Sequence, residues 1–177
     1  LALLPQSRAS EALDAAHREM EGLIEELLES ERLNSRHAAL NLTAADPALV
    51  AREVLDDYFA DAAVAADLQQ SESSLTAIDV PRIKLLIRNL LDNALRHTPP
   101  EAPPPSIQVR SDEEGWSIRV ADHGPGIAPE HLSQVTEPFY RADPARHRKT
   151  GGYGLGLYLS RVIVEAHGGR LEIKSKT

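Results

Sequence analysis

The sequence has no cysteine and few aromatic residues, which make up 4% of its 177 residues. Without cysteine, a disulfide scaffold, a thiol nucleophile and a zinc site held by thiolates are all excluded. Because aromatics are scarce, the core has to be built from Leu, Ile, Val and Ala. Hydrophobic residues amount to 42% and charged residues to 26%, a balance typical of a soluble globular protein with a sizeable core.

Positive charge and long apolar runs are also scarce. Lys and Arg number 19 against 27 Asp and Glu, which gives a net charge of -8. A chain this acidic repels nucleic acid and anionic membranes, so we expect no nucleic-acid partner, and an anionic ligand would need a local cluster of positive charge. No apolar run approaches the roughly 18 residues of a membrane span. Since the chain does not begin with Met, we expect any membrane segment to lie upstream of Leu1.

Helices and strands alternate irregularly along the chain. Apolar periodicity, caps and turn residues predict helices over about 10–33, 47–59, 79–98, 130–135 and 155–167, and strands over 40–43, 106–110, 116–121 and 170–174. This order predicts an α+β fold, a two-layer α/β sandwich with a mixed sheet covered by helices on one face and preceded by a long helix. We assign residues 1–36 to the helical region and residues 37–177 to the folded domain.

The first predicted helix carries an apolar stripe. Its apolar residues recur at spacings of three and four, which is heptad spacing: Leu13, Ala16, Met20, Leu23 and Leu27. One interpretation is an amphipathic helix that packs on its own domain, and the other is a helix of a dimeric bundle. The spacing alone does not separate the two.

The helix near residues 79–98 carries polar residues opposite its apolar face. Asn89 and Asn93 lie four residues apart and therefore stack on one side, with Arg96 on the same side and His97 on its flank. An amide oxygen is a hard ligand suited to Mg²⁺, and an amide NH₂ group can donate to a phosphate. The pattern therefore indicates a magnesium or phosphate site, and a solvated polar face is the alternative.

Two glycine-containing loops are candidates for ligand binding. Asp122, Gly124 and Gly126 follow a predicted strand, where a carboxylate could face a cleft while the glycines let a ligand approach the backbone. A simple turn is the alternative. The stretch from Gly151 to Leu157 opens a helix, and glycine-rich loops at helix N-termini suit phosphates. It lacks the Gly-Lys-Ser/Thr ending of a P-loop, and no βαβ unit surrounds it.

A long aperiodic segment separates these loops. It runs from about Ile127 to Gly152 and is bounded by glycine, a pattern that predicts a mobile lid. It also holds the local positive cluster that an anionic ligand would need: Arg141, Arg146, His147, Arg148 and Lys149. The alternative is a solubilising charged loop.

Together, four motifs resemble those of a known family. The N, G1, F and G2 boxes of sensor histidine kinases are similar, in this order, to Asn89-Leu-Leu-Asp-Asn93-Ala-Leu-Arg-His97, Asp122-His-Gly-Pro-Gly126, Glu137-Pro-Phe139-Tyr-Arg141 and Gly152-Tyr-Gly-Leu-Gly156-Leu. These kinases belong to the GHKL ATPases, which share the Bergerat fold with gyrase, mismatch-repair ATPases and the large heat-shock chaperones. The resemblance covers about Asn41 to Lys174. The helix from Ser10 to Leu33 resembles the second helix of the family's dimerisation and phosphotransfer bundle, which favours the bundle interpretation.

The resemblance implies a binding site for ATP and Mg²⁺. It places these residues around the nucleotide: Asn89, Asn93, Arg96, His97, Asp122, Gly124, Gly126, Ile127, Phe139, Tyr140, Arg141, Gly152, Gly154, Leu155, Gly156 and Leu157. It implies that Asn93 ligates Mg²⁺ and that Asn89 supports the phosphates, so these two are the catalytic residues. It also implies that Asp122 accepts a hydrogen bond from the adenine amino group.

The remaining implied roles concern the lid and its phosphate contacts. Phe139 is expected to anchor the lid. Arg141 is expected to reach the phosphates, and one of Arg146, Arg148 and Lys149 could join it. Gly152, Gly154 and Gly156 are expected to form the lid hinge and the phosphate loop.

The implied activity is that of a protein-histidine kinase. The γ-phosphoryl group of ATP would pass to a His on the upstream bundle helix, and then to an Asp of a response regulator. No His-Glu/Asp box occurs here, so we expect the acceptor upstream of Leu1; His17 lies on the second helix and is not a candidate. The resemblance also implies a homodimer through the bundle helix, and a location as the cytoplasmic portion of an inner-membrane sensor.

Two other functions stay open. One is a GHKL module that binds nucleotide for regulation and has little transfer activity. The other is a serine kinase of the anti-sigma type, against which the bundle-like helix argues.

Overall fold

The computed structural model describes residues 39–69, 75–112, 115–141 and 153–176, together with scattered positions between 13 and 32. In chain order, the elements are β1 (Thr43–Ala45), α1 (Pro47–Tyr58), β2 (Ala65–Leu68), β3 (Thr76–Ile78), α2 (Val80–His97), β4 (Ser106–Asp112), β5 (Gly115–Ala121), α3 (Pro129–Leu132) and α4 (Gly156–Ala166). The predicted helices at 47–59, 79–98 and 155–167 and the predicted strands at 106–110 and 116–121 are therefore confirmed.

The strands form two sheets. In the larger one, β4 lies between β2, to which it is parallel, and β5, to which it is antiparallel. The smaller sheet is the antiparallel pair of β1 and β3. A mixed sheet next to helices confirms the predicted sandwich.

One hydrophobic core joins the sheet to the helices. Helix α2 packs between α1 and α4 and also contacts β5. The fully buried residues come from all of these layers: Val54 of α1, Ile83, Ile87 and Leu91 of α2, Ile107 and Val109 of β4, and Leu159 and Ile163 of α4. The core is almost entirely aliphatic, as the scarcity of aromatic residues predicts, and Phe59 is the one aromatic among the buried core residues that the structure describes.

Local capping explains where the two long helices begin. Asp46 accepts a hydrogen bond from the Ala48 N–H at 2.8 Å, and a proline occupies the first turn. Asp79 caps α2 in the same way through the Arg82 N–H at 3.3 Å. The two caps fix where α1 and α2 start.

A polar junction fixes α2 relative to α4. The buried Asp79 accepts from the Asn41 N–H at 2.9 Å, and its own N–H donates to Nε2 of His167 at 3.1 Å. Because Nε2 accepts, the proton of this imidazole is on Nδ1, which lies 2.8 Å from the Ile163 carbonyl oxygen and donates to it. His167 therefore connects the C-terminal end of α4 to the N-terminal end of α2.

Two strand predictions need correction, and two strands were missed. Strand β1 begins at Thr43, whereas we predicted it over 40–43, and β2 and β3 were not predicted. Exposure along β2 does not alternate, so its sequence has no period of two to detect. The predicted strand over 170–174 is wrong, since the structure assigns no strand within residues 169–176. Half-buried and exposed residues do alternate there, but alternation shows only which side faces the domain, and a strand also requires ladder hydrogen bonds.

The described positions between 13 and 32 are all helical, in agreement with the first predicted helix. The apolar residues among them are exposed, from Leu27 at 45% to Leu13 at 71%. Packing on their own domain, one of the two interpretations, is not observed for these residues. The dimeric bundle and the domain boundary at residue 36 stay predictions. In the described part of the chain, no helix is both long and apolar enough to cross a membrane.

Candidate nucleotide-binding site

Helix α2 presents Asn89 to the start of α4. Asn89 is only 8% exposed, so a solvated polar face does not describe it. A Cβ atom placed on Gly156 would lie 3.8 Å from the Asn89 Cβ, so the two residues are close neighbours. The Asn89 Nδ2 atom is buried and has no hydrogen-bond partner among the described residues. A buried donor without a hydrogen-bond partner costs about 1–3 kcal/mol. Such a donor needs an explanation, and a hydrogen bond to a bound ligand is one.

Asn93 lies one turn further along α2 and is half-buried. Between the two asparagines, Asp92 is exposed as a residue, yet neighbouring protein removes enough water from its carboxyl group to raise its pKa. The guanidinium groups of Arg88 and Arg96 oppose this rise by favouring the charged carboxylate. Asp92 therefore lies between two positive charges on α2, Arg88 one turn before it and Arg96 one turn after it.

The loop after β5 docks on the C-terminal end of α2. Gly124 donates its N–H to Oδ1 of Asp122 at 2.8 Å, and a Cβ atom on Gly124 would lie 2.9 Å from the His97 carbonyl oxygen. Thr98 Oγ1 accepts from the His123 N–H at 3.5 Å and donates to the Ala94 carbonyl oxygen at 2.8 Å. This close approach requires glycine at position 124, and it brings the exposed Asp122 to the helix that carries both asparagines.

The second glycine loop holds the stretch 137–141. Phe139 donates its N–H to the Gly154 carbonyl oxygen at 3.0 Å, and Gly154 has a φ of +75°. A Cβ atom on Gly154 would lie 2.7 Å from the Tyr140 carbonyl oxygen and 2.9 Å from the Phe139 carbonyl carbon. We call this contact of Gly154 with Phe139 and Tyr140 the Gly154 clasp. Only glycine permits both its backbone conformation and its closeness.

The N-terminus of α4 completes the arrangement. Leu155, which is 2% exposed, holds the capping position, and Gly156 is the first residue of the helix. No side chain among the described residues caps this end. Its N–H groups and the positive end of the helix dipole therefore suit an anion, and they lie beside the orphaned amide of Asn89.

Phe139 is held through its backbone. Its side chain is 62% exposed, and its φ of +64° is unusual for a residue with a bulky side chain. Tyr140 is fixed through its hydroxyl, which lies 2.6 Å from Nδ1 of His131 on α3. Arg141 is half-buried at the end of this stretch. The Gly154 clasp therefore holds the Phe139 backbone, and the role of Phe139 as an anchor of the lid stays a prediction.

The structure brings the four predicted motifs together in pairs. Asn89 meets Gly156, His97 meets Gly124, and Phe139 meets Gly154. Gly126 has a φ of +79°, and the neighbouring Ile127 donates its N–H to Ser175 Oγ at 2.8 Å. Six predicted residues lie outside the described residues, so their places stay predictions: Arg146, His147, Arg148, Lys149, Gly151 and Gly152.

Sequence reasoning missed the residues that support the site. Thr98 ends α2, His131 holds Tyr140, and Arg161 contacts the stretch 137–141. These partners lie between 9 and 25 residues from the groups they contact, so no local period points to them. Their only signal in the sequence is a polar side chain on a predicted helix or at its end.

The residues present fit a magnesium ion bound together with phosphates. No cluster of three or more His, Cys, Asp or Glu suited to a metal occurs among the described residues. Mg²⁺ does not require such a cluster, because it keeps several waters and takes most other ligands from substrate phosphates. One amide oxygen from Asn93 is an adequate protein ligand of this kind, and the orphaned Asn89 amide is placed to donate to a phosphate.

Comparison with known proteins identifies the family. Residues 78–177 match the family described as histidine kinase-, DNA gyrase B-, and HSP90-like ATPases. Because this match covers more than half of the chain, the chain belongs to that ATPase family. Within it, the chain is similar to the sensor protein SrrB of Staphylococcus aureus (strain NCTC 8325 / PS 47), with 42% identity over 100 residues. The resemblance to sensor histidine kinases is therefore confirmed. The match spans 55% of this chain and 17% of SrrB.

Solved structures agree with the fold. The histidine kinase AdeS of Acinetobacter baumannii superposes with a TM-score of 0.70 and 25% identity, over 93% of this chain and 76% of that chain. Full-length ShkA, solved in complex with AMPPNP, superposes with a TM-score of 0.75 and 24% identity, over 95% of this chain and 35% of that chain. The predicted sandwich with a mixed sheet is thus the fold of histidine kinase catalytic domains.

Proposed function

We propose that this chain binds Mg-ATP and is the catalytic part of a sensor histidine kinase. One observation carries the proposal: the orphaned amide of Asn89 is buried beside the glycine-led N-terminus of α4. An anionic ligand that binds at this helix end would accept the hydrogen bond that Asn89 cannot make within the described residues. A triphosphate supplies such acceptors together with the ligands that Mg²⁺ prefers.

The roles of the residues follow from their positions. The phosphates would lie against the first turn of α4, with Asn89 donating to them and Asn93 ligating Mg²⁺. Asp122 would accept from the adenine amino group, while Gly124 and Gly126 leave room for the base. Bound Mg²⁺ would neutralise phosphate charge, and the residues of the chain would align the γ-phosphoryl group, since catalysis of this kind consists of positioning and electrostatic stabilisation.

The acceptor and the partners are proposed from the relatives. SrrB is a sensor protein, and ShkA was solved with AMPPNP, an ATP analogue. We propose that the γ-phosphoryl group passes to a His on an upstream bundle helix and then to an Asp of a response regulator. The whole protein would dimerise through that bundle and serve as the cytoplasmic part of a membrane sensor. The exposed apolar residues at the described helical positions support such a dimer: Leu13, Met20, Ile24, Leu27 and Leu28.

Phosphoryl transfer is tested with a version of the protein extended upstream to include the bundle helix with its His box. With γ-labelled ATP and Mg²⁺, we expect an acid-labile, alkali-stable label on that His, as befits a phosphoramidate. The 177-residue chain should bind ATP and acquire no label, because it has no His box. Label on His17 would contradict the proposal.

The same experiment separates the two alternative functions. A regulatory module would bind nucleotide and leave the extended protein unlabelled. A serine kinase would place an alkali-labile, acid-stable label on a protein substrate.

Base selectivity gives a second test. An ionised carboxylate only accepts hydrogen bonds, and adenine presents an amino group where guanine presents a carbonyl oxygen. We expect ATP to bind about 5- to 30-fold more tightly than GTP, because Asp122 gains a charge-assisted hydrogen bond with adenine and faces a second acceptor with guanine; its exposure keeps the effect at roughly 1–2 kcal/mol. Asp122→Asn should narrow this gap, because an amide also donates. Competition against a fluorescent nucleotide measures both.

The matched control is Asp112→Asn. Asp112 also accepts from the N–H of a nearby glycine, Gly115, at 3.1 Å, but it lies in the β4–β5 hairpin. This variant should keep the ATP preference of the unmutated chain. Equal affinities for ATP and GTP in the unmutated chain would remove Asp122 from base recognition.

A further inference from the structure

Arg161 links α4 to the 137–141 stretch. It lies in the second turn of α4, five residues after Gly156. Its Nη1 donates to Oε1 of Glu137 at 3.1 Å and to Oγ1 of Thr136 at 3.4 Å. Its guanidinium carbon lies 5.7 Å from the centre of the Tyr158 ring, on the same helix. The side chain thus reaches from the helix of the phosphate loop to the beginning of the 137–141 stretch.

Glu137 forms the turn with which the 137–141 stretch begins. Its N–H donates to the Gln134 carbonyl oxygen at 2.8 Å, and its own carbonyl oxygen accepts from the Tyr140 N–H at 3.2 Å. The resulting turn sets the direction in which Phe139 and Tyr140 leave it. A shift of Glu137 would therefore move the residues of the Gly154 clasp.

The backbone of this stretch needs support from outside. Phe139 has a left-handed φ of +64°, a conformation that a bulky residue holds only when its surroundings impose it. Two contacts hold Phe139 and Tyr140, namely the Gly154 clasp and the hydrogen bond between Tyr140 and His131. Arg161 holds Glu137, the first residue of the stretch, and it does so from α4, the helix that follows Gly154.

The contact is too exposed to matter much for overall stability. The Arg161 side chain is 30% exposed and that of Glu137 is 53% exposed. Exposed ion pairs contribute little to stability, because water screens them and ordering long side chains costs entropy. The Nε atom of Arg161 is nevertheless buried without a hydrogen-bond partner among the described residues, so the guanidinium is held in place at some cost. A costly orientation with little gain in stability is typical of a residue kept for positioning.

We propose that Arg161 is a positioning residue for nucleotide binding: through Glu137, it keeps the 137–141 stretch against α4, so that Arg141 reaches phosphates bound at the start of that helix. This inference rests on the proposed binding of Mg-ATP and adds a residue to it. Arg161 itself touches no nucleotide. It acts by fixing the distance between the phosphate loop and Arg141, four residues beyond Glu137.

The test is a double-mutant cycle with Arg161→Gln, Glu137→Gln and the double variant. We expect each single variant to bind Mg-ATP roughly 3- to 10-fold more weakly, as coupled neighbours in one network do, and the double variant to be no weaker than either one. Melting temperatures should stay nearly unchanged. The charge-swapped pair, Arg161→Glu with Glu137→Arg, should bind Mg-ATP more tightly than either single variant. The swap restores the ion pair without either original side chain, so a structural role of one side chain alone would not produce this recovery.

Arg170→Gln is the matched control. It removes another exposed arginine in an ion pair, 2.8 Å from Glu172, beyond the C-terminal end of α4. Its Mg-ATP affinity should equal that of the unmutated chain. Additive losses in the cycle, or Arg161→Gln binding as tightly as the control, would overturn the proposal.

A nucleotide-free measurement separates this inference from the proposed function. The amides of Phe139 and Tyr140 lie in the segment predicted to be mobile, but both are hydrogen-bonded, so in the unmutated chain they should exchange more slowly than amides without a hydrogen bond. In Arg161→Gln we expect their exchange to become several-fold faster, with the α2 amides unchanged. Unchanged exchange would refute the positioning role even if Mg-ATP binds. If the unmutated chain fails to bind Mg-ATP while Arg161→Gln exchanges faster, the proposed function fails and Arg161 is reduced to a structural contact.

Discussion

Gly154→Ala is expected to weaken Mg-ATP binding by more than tenfold and to lower the melting temperature. Alanine at a φ of +75° costs roughly 1–2 kcal/mol. The added Cβ would also lie 2.7 Å from the Tyr140 carbonyl oxygen, so the Gly154 clasp has to open. Opening it separates the 137–141 stretch from the start of α4, where we propose that the phosphates bind. Calorimetric titration with Mg-ATP and a thermal scan measure the two effects.

Comparison with Gly168→Ala separates the steric clash in Gly154→Ala from the cost of its backbone conformation. Gly168 has nearly the same φ, +76°, but a Cβ atom there would meet nothing within 4 Å. It should lose the same roughly 1–2 kcal/mol of stability through its backbone conformation and keep its affinity for Mg-ATP. If both variants behaved alike, the Gly154 clasp would have no part in binding.

Asn93→Ala should lower the affinity for Mg-ATP on the order of 10- to 100-fold, a range typical of losses at a metal site. The fold should survive, because Asn93 is half-buried and lies outside the hydrophobic core. The loss should depend on the metal: with Mg²⁺ removed by a chelator, Asn93→Ala and the unmutated chain should bind ATP with similar affinity. Titrations with and without Mg²⁺, next to a thermal scan, give this comparison.

Asn41→Ala serves as the control for Asn93. Asn41 is exposed, and its observed hydrogen bond to Asp79 comes from the backbone, which alanine retains. Its affinity for Mg-ATP should not change. Should Asn93→Ala bind Mg-ATP as tightly as Asn41→Ala, the solvated-face interpretation would stand for Asn93.

Secondary structure could be predicted wherever the signal was local. Asp46 with Pro47, and Asp79 with Pro81, marked the starts of α1 and α2, because a capping carboxylate and an early proline act within one turn. The β4–β5 hairpin was equally local. Strands β2 and β3 were not predicted, since each depends on a partner at least 31 residues away: Ala45 pairs with Thr76, and Ala65 with Ser106.

Supporting contacts could not be predicted for the same reason. Periodicity placed Asn89 and Asn93 on one side of a helix, but it could not tell a solvated side from a buried one. That distinction depends on α4, whose first residue, Gly156, lies far along the chain and packs against Asn89. The link from Arg161 to Glu137 spans 24 residues and leaves no period in the sequence.

The sequence by itself determined the family, the order of the four motifs and the residue types that could meet a nucleotide, because these depend on identity and spacing along the chain. Only the tertiary structure decided which of those residues are buried, which touch one another and which support them. The difference is physical: a cap or a helical face is set by neighbours within one or two turns, whereas the burial of Asn89 and the Gly154 clasp arise only when distant elements pack together.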